Sequence, residues 1–372
     1  MGMARRVVLD TVFVLSLFGI LPPLGLYLSN PERTFSLTFP PPLLTDQGEA
    51  SFSWLVFGVL AILIGSTLAP FIIRVWRSQG SSGSSKSATQ ALPWWGWGAL
   101  AWILIWWFLA WIRMPWMTAW QAYTFPSLWF GFIVFVNALT YARSGTCLFL
   151  NHTALFLKLF PLSAVFWWVF EYFNQFVNNW HYVNVPELSP LHRFLLTSLS
   201  FSTVLPAVLS TTECLQTFKR LTAPFKQWYQ IPQMTSPATS WVFFCLGSAG
   251  LLSVGIWPTI LFPALWLSPL FILLGYKLQI GRFTGLHGLA QGNWQPVVLP
   301  ALAALICGLC WECWNAFSLI HWKYTIPFVH GFQLFEMPLL GYAGYLPFGL
   351  ECMLILELFW GERIGTLQRE TP

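Results

Sequence analysis

The chain has 372 residues, of which 56% are hydrophobic and only 8% charged, and its mean hydropathy is +0.62. A soluble domain carries roughly 25% charged residues, so this composition excludes a water-soluble globular protein and makes lipid the main solvent. The net charge of +5 is spread over many loops and forms no single basic patch, which gives no surface for nucleic acid.

A membrane-crossing helix needs about 20 mostly apolar residues. That criterion predicts an all-α, polytopic transmembrane bundle of about ten spans, near 7–28, 53–74, 95–112, 126–142, 159–178, 193–212, 240–256, 258–276, 297–318 and 333–360. Met1-Gly2-Met3-Ala4-Arg5-Arg6 leads into the first of them. No small-residue cleavage pattern follows that apolar run, so an uncleaved span is expected rather than a signal peptide. The segment 29–52 holds Pro40-Pro41-Pro42 with Glu32, Asp46 and Glu49 and is expected outside. Ser78 to Lys86 is a Gly/Ser-rich linker, flexible because it has little side chain to pack. Spans seven and eight are read as joined by a tight turn at Trp257 and Pro258, with one broken element as the alternative. In 213–239, Lys219, Arg220 and Lys226 alternate with Phe225, Trp228 and Tyr229, which suits either an interfacial segment on anionic lipid or a solvated loop.

Basic residues test the map independently. With the N-terminus inside, 14 of the 18 Lys and Arg residues fall in cytoplasmic segments, and only Arg33, Arg113, Arg193 and Lys323 fall outside. That asymmetry follows the positive-inside rule. The expectation is a bacterial inner-membrane protein with both termini in the cytoplasm.

The last eight spans read as a tandem duplication. Phe125-Pro126-Ser127-Leu128-Trp129 recurs as Phe262-Pro263-Ala264-Leu265-Trp266. Glu171-Tyr172-Phe173-Asn174 recurs as Glu312-Cys313-Trp314-Asn315, and Trp180-His181-Tyr182 as Trp322-Lys323-Tyr324. Leu205-Pro206 matches Leu346-Pro347. The repeat covers four spans, an even number, so the copies are expected to be parallel and related by an axis along the membrane normal. The expected units are 1–92 (two N-terminal spans and the linker), 93–239 (first repeat) and 240–372 (second repeat).

Glu171 and Glu312 are the candidate catalytic residues, with Asn174 and Asn315 beside them. Positions i and i+3 share a helix face, and a carboxylate inside a bilayer is costly unless paired or facing a polar cavity. Parallel copies bring both acid–amide pairs to one depth near the axis, where they suit proton transfer, cation binding or acid catalysis. The alternative is interhelical hydrogen-bonding glue. Trp180, Tyr182, Trp322 and Tyr324 are candidate binding residues on outer loops, either interfacial anchors or a lid. Glu351 joins them as a deep carboxylate. Glu213 and Glu357 are expected at the cytoplasmic interface, and Glu336 at the outer rim of span ten. Cys307, Cys310 and Cys313 sit in an apolar helix and read as packing residues rather than cluster ligands. The six His residues offer no mid-span pair. No cofactor or metal is therefore expected.

The Trp-rich Phe-Glu-x-x-Asn segment (Phe170 to Asn174) followed by Trp-x-Tyr resembles uncharacterised bacterial multi-spanning families, which implies no activity. Trp322-Lys323-Tyr324 followed by Pro347-Phe348-Gly349-Leu350-Glu351 also resembles the small membrane lycopene cyclase domains. That resemblance implies an isoprenoid substrate and acid-initiated cyclisation, although the paired acidic residues of the motif are missing here. Twenty-four Trp residues supply aromatic faces that stabilise cations. The first expectation is therefore a protein or enzyme for an isoprenoid or other membrane lipid. A structural subunit of a membrane complex and an ion-coupled transporter are the alternatives.

Overall fold

The computed structural model describes residues 3–32, 38–44, 51–78, 90–232, 236–281 and 287–360. The Gly/Ser-rich stretch from Gln79 onward, with Asp46 and Glu49, lies outside them. The described chain is almost wholly helical. Its principal helices are α1 (Met3–Ser29), α2 (Trp54–Ser78), α3 (Trp94–Trp111), α4 (Thr124–Ser144), α5 (Thr153–Val177), α6 (Pro190–Phe201), α7 (Val204–Gln216), α8 (Pro237–Ile256), α9 (Ala264–Gln279), α10 (Gln295–Ala316) and α11 (Tyr345–Trp360). Eight helical segments, counting α6 with α7, are long and apolar enough to cross a membrane. The bundle is thus that of a membrane protein. The only sheet among the described residues is two short ladders. One pairs β1 (Trp180–Val183) with β2 (His321–Tyr324), and the other pairs Gln333–Leu334 with Met337–Pro338.

Local chemistry explains the boundaries. Ser189 and Ser236 cap α6 and α8 by accepting from the backbone N–H groups of His192 and Thr239. Gly145 and Asn178, both at positive φ, end α4 and α5 in the left-handed conformation. Spans seven and eight are separate helices. Trp257 turns the chain, Pro258 opens a short helix through Leu261, and α9 packs antiparallel against α8. The last span departs from expectation. Instead of beginning near 333, the chain makes a hairpin, then a 3₁₀ turn from Leu339 to Gly344, and only then α11. Pro338 and the glycines at 341 and 344 disfavour α-helix over that stretch. Glu336 accordingly lies in the hairpin between its two strands, not on a helix rim.

Packing is close where residues are small. Gly25 of α1 approaches Leu252 of α8, and Gly255 approaches Pro22 and Leu26, so tightly that a methyl group at either glycine would overlap backbone. The centre is aromatic. Trp129 of α4 is fully buried, with its ring 5.0 Å from Trp311 and 4.9 Å from Trp314 of α10. The Trp excess is thus spent in the core as well as at the surface. Between α6 and α7 the helix breaks at Ser202 and Thr203. The hydroxyl of Ser163 on α5 bridges the gap, donating to the Phe201 carbonyl at 2.6 Å and accepting from Leu205 N–H at 3.0 Å. A break inside a bilayer needs such a substitute partner.

α2 is the exception to this packing, since none of its residues is buried. Its ends are nevertheless held. Ser53 N–H donates to the Phe328 carbonyl at 3.1 Å at one end. At the other, Arg74 donates to the Pro224 and Gln227 carbonyls at 2.9 and 2.8 Å.

Candidate functional site

Two carboxyl-centred clusters lie where α5 leads into β1 and where α10 leads into β2. In the first, Glu171 is 1% exposed, and its Oε1 accepts from Tyr182 Oη at 2.6 Å, Trp180 Nε1 at 3.1 Å and Trp167 Nε1 at 3.2 Å. In the second, Glu312 Oε1 accepts from Tyr324 Oη at 2.7 Å and Tyr345 Oη at 2.6 Å, while Trp322 Nε1 donates onward to Tyr324 Oη at 2.8 Å. In both clusters the second carboxyl oxygen, Oε2, has no hydrogen-bond partner among the described residues.

The asparagines act on backbone. Asn174 donates from Nδ2 to the Trp180 carbonyl at 2.7 Å, and its Oδ1 accepts from the N–H groups of Asn179 and Trp180 at 2.8 and 3.3 Å. Asn315 repeats this on Trp322, donating to its carbonyl at 2.7 Å and accepting from its N–H at 2.8 Å. Each asparagine thereby folds the chain that follows its helix back over the preceding carboxyl group. The strands then pair antiparallel, Trp180 opposite Tyr324 and Tyr182 opposite Trp322, which sets the donors of one cluster beside those of the other. Trp180, Tyr182 and Tyr324 are therefore strand residues turned onto carboxyl groups, and Trp322 is a strand residue turned onto Tyr324. Sequence alone hid this because a four-residue strand carries almost no periodic signal.

The clusters differ in one pair of positions. Where the first has Trp167 on its helix and Val204 at the start of α7, the second has Gly308 and, at the start of α11, Tyr345. A methyl group on Gly308 would overlap the Tyr345 ring. The bulky donor comes from one helix in one cluster and from the facing helix in the other. Neither Trp167 nor Tyr345 stood out in the sequence, because an unequal pair breaks the repeat that drew attention to its neighbours.

The two carboxyl groups do not share a hydrogen bond; each has its own donor set. Burial above all, then the adjacent Glu171 carboxyl group, pushes the Tyr182 phenol well above its ordinary value. Burial and Glu312 do the same to Tyr324. Both phenols stay protonated and remain donors.

Beside these clusters is a cavity of about 540 Å³, lined mainly by apolar and aromatic side chains. Trp167, Trp180, Tyr182, Trp322, Tyr324 and Tyr345 all line it, whereas Glu171 and Glu312 do not. The carboxyl groups stand behind the aromatic wall and hold its polar tips. Leu60, Leu63, Ile64 and Leu68 of α2 close one flank.

The remaining acids lie elsewhere. Glu351 is fully buried on α11, and neither of its oxygens makes a well-formed hydrogen bond among the described residues. It is not part of the cavity wall. Glu357, expected at the cytoplasmic interface, forms a buried ion pair at 3.1 Å with Lys277, between α11 and α9. Glu213 accepts from the Leu148 N–H at 2.9 Å. No group of three or more His, Cys, Asp or Glu suited to a metal occurs among the described residues. Comparison with known families, with curated proteins and with solved structures returns no match.

Proposed function

We propose that this is a bacterial inner-membrane protein of ten spans that binds an isoprenoid or other membrane lipid in the cavity beside β1 and β2. The observation that carries the reading is the cavity itself. Its volume is within the ~300–1,000 Å³ typical of small-ligand sites, and its wall is largely apolar and rich in indole and phenol rings. Aromatic faces suit a polyene and any cation formed from it. Counting α3 and the shorter α9 as spans gives ten, and the positive-inside bias then sets both termini in the cytoplasm and the strands on the outer side.

The last eight spans are, in this reading, two parallel copies of one unit. The matched Glu–Tyr and Asn–backbone bonds of the two clusters support this beyond the sequence matches. Glu171 and Glu312 act as positioning residues that hold the indole and phenol donors of the cavity wall in place.

Purification in mild detergent followed by lipid mass spectrometry tests the binding. The wild type is expected to carry a stoichiometric isoprenoid or lipid. Gly344 lines the cavity, and a methyl group there would meet nothing nearer than Trp266 at 4.0 Å. Gly344→Phe has room at its Cβ and projects a ring from the cavity wall, and the copurified lipid should fall severalfold. A wild type without lipid, or equal lipid in both, counts against the reading.

A second reading, ion-coupled transport, draws support from the α6–α7 break and the 3₁₀-to-α junction before α11, which precede Pro206 and Pro347. Paired discontinuities are a feature of transporter folds. Liposome flux unchanged by Glu171→Gln and Glu312→Gln would remove it.

A further inference from the structure

The apolar cavity has two amide side chains in its wall that the protein leaves unsatisfied. Asn179 is 1% exposed and Gln121 4% exposed, and both line the cavity. Among the described residues, neither the Oδ1 nor the Nδ2 of Asn179 has a hydrogen-bond partner, and neither does the Oε1 of Gln121. A buried polar atom without a partner is costly, and each such atom calls for an explanation.

Both amides are fixed in place. The backbone of Asn179 is held on each side, its N–H by Asn174 Oδ1 at 2.8 Å and its carbonyl by Thr325 N–H at 2.8 Å. Gln121 donates from Nε2 to the Leu109 carbonyl at 3.0 Å. That bond sets the amide's orientation and leaves Oε1 as the free acceptor. Trp167, Trp180, Tyr182, Trp322, Tyr324 and Tyr345, which share the wall, already donate to Glu171, Glu312 and Tyr324. Among the described residues the wall's buried, unpartnered side-chain atoms thus comprise one fixed acceptor and one amide that both donates and accepts.

We propose that the cavity selects a lipid with a neutral hydroxyl headgroup, an isoprenoid alcohol, whose O–H donates to Gln121 Oε1 or Asn179 Oδ1 and accepts from Asn179 Nδ2. A pure hydrocarbon leaves these atoms unpaired. A phosphorylated head needs cations, and the only Lys or Arg in the described wall is Arg193, which is exposed and turned onto the Leu188 carbonyl at 3.5 Å. No carboxylate lines the wall to bind an amine. This inference rests on the lipid-binding reading above and narrows it to a headgroup.

The test is equilibrium binding to the full-length protein in nanodiscs of three probes with one C20 skeleton: geranylgeraniol, its monophosphate, and the hydrocarbon lacking the oxygen. The alcohol is expected to bind at least ~10-fold more tightly than the hydrocarbon, about the worth of one net hydrogen bond. Asn179→Leu and Gln121→Met should each shrink that ratio severalfold, with the hydrocarbon still bound. Retained hydrocarbon binding also shows that the variants are folded. Equal binding of alcohol and hydrocarbon overturns the headgroup assignment alone, as does a ratio that neither variant moves. Tighter binding of the monophosphate overturns it in favour of an anionic head on Arg193. Failure of all three probes to bind overturns the lipid reading and this inference with it.

Discussion

The Glu171 and Glu312 clusters reach one result by different routes. Each gathers aromatic donors on a single carboxyl oxygen and uses an asparagine to fold a strand over it. The first takes its extra donor from its own helix, as Trp167. The second takes it from the facing helix, as Tyr345, and needs Gly308 to make room. What is kept is a carboxyl oxygen ringed by aromatic donors, three in the first cluster and two in the second, and not the identity or the source of each donor. That is the behaviour of a site under packing constraint, where a change on one helix demands a compensating change on its neighbour.

The largest effect expected from breaking this comparison is at the carboxyl groups. Glu171→Leu strips three donors of their acceptor and Glu312→Leu strips two. At about 1–3 kcal/mol for each orphan, Glu171→Leu should lower stability by about 3 kcal/mol or more, and by more than Glu312→Leu. Glu171→Gln, which keeps an acceptor oxygen, should be milder. Thermal unfolding in one detergent ranks them, and equal losses for Leu and Gln would show that the carboxyl oxygen is not the hub.

Next is the swapped pair. Gly308→Trp should cost about 1–3 kcal/mol through overlap with Tyr345. Adding Tyr345→Val, which recreates the arrangement of the first cluster, should return part of that loss. A double-mutant cycle should give a coupling of roughly 0.5–3 kcal/mol. Strict additivity would mean that the two positions do not compensate.

A smaller difference separates the asparagines. Asn174 holds three backbone bonds and Asn315 two. Asn174→Ala should therefore cost about 1 kcal/mol more than Asn315→Ala, read by the same unfolding assay. The smallest effect is confined to alkaline pH. The folded-state values of Tyr182 and Tyr324 are raised by burial and the adjacent carboxyl groups, while the unfolded phenols titrate near ~10. Their contribution is complete below about pH 10 and is lost as pH rises beyond it. Tyr182→Phe should flatten the fall of the unfolding temperature above that pH, and an unchanged slope would remove Tyr182 from the titrating set.

Much of the architecture was legible in the sequence because lipid imposes a simple rule. A run such as that of α1 or α10 has to be helical when no water is present to satisfy its backbone. The special status of Glu171, Asn174, Glu312 and Asn315 was legible for the same reason, since polar groups are conspicuous in apolar runs. Three things were not. The β1–β2 ladder joins segments some 140 residues apart through four-residue strands, below the length at which alternation can be read. The Lys277–Glu357 ion pair has two members that each look like ordinary interface charges, and only the packing of α9 on α11 buries them together. The unpaired amides of Gln121 and Asn179 are defined by an absence of partners, which only coordinates can display.

The fastening of α2 at its two ends has a further consequence. Between Ser53 and Arg74 the helix shows a leucine-rich face to the cavity, and none of its residues is fully buried by protein. In a membrane, one helix thickness then separates the cavity from the acyl chains around it. Hydrophobic guests would exchange sideways with the surrounding leaflet, so their occupancy would be governed by mole fraction in the bilayer rather than by solubility in water.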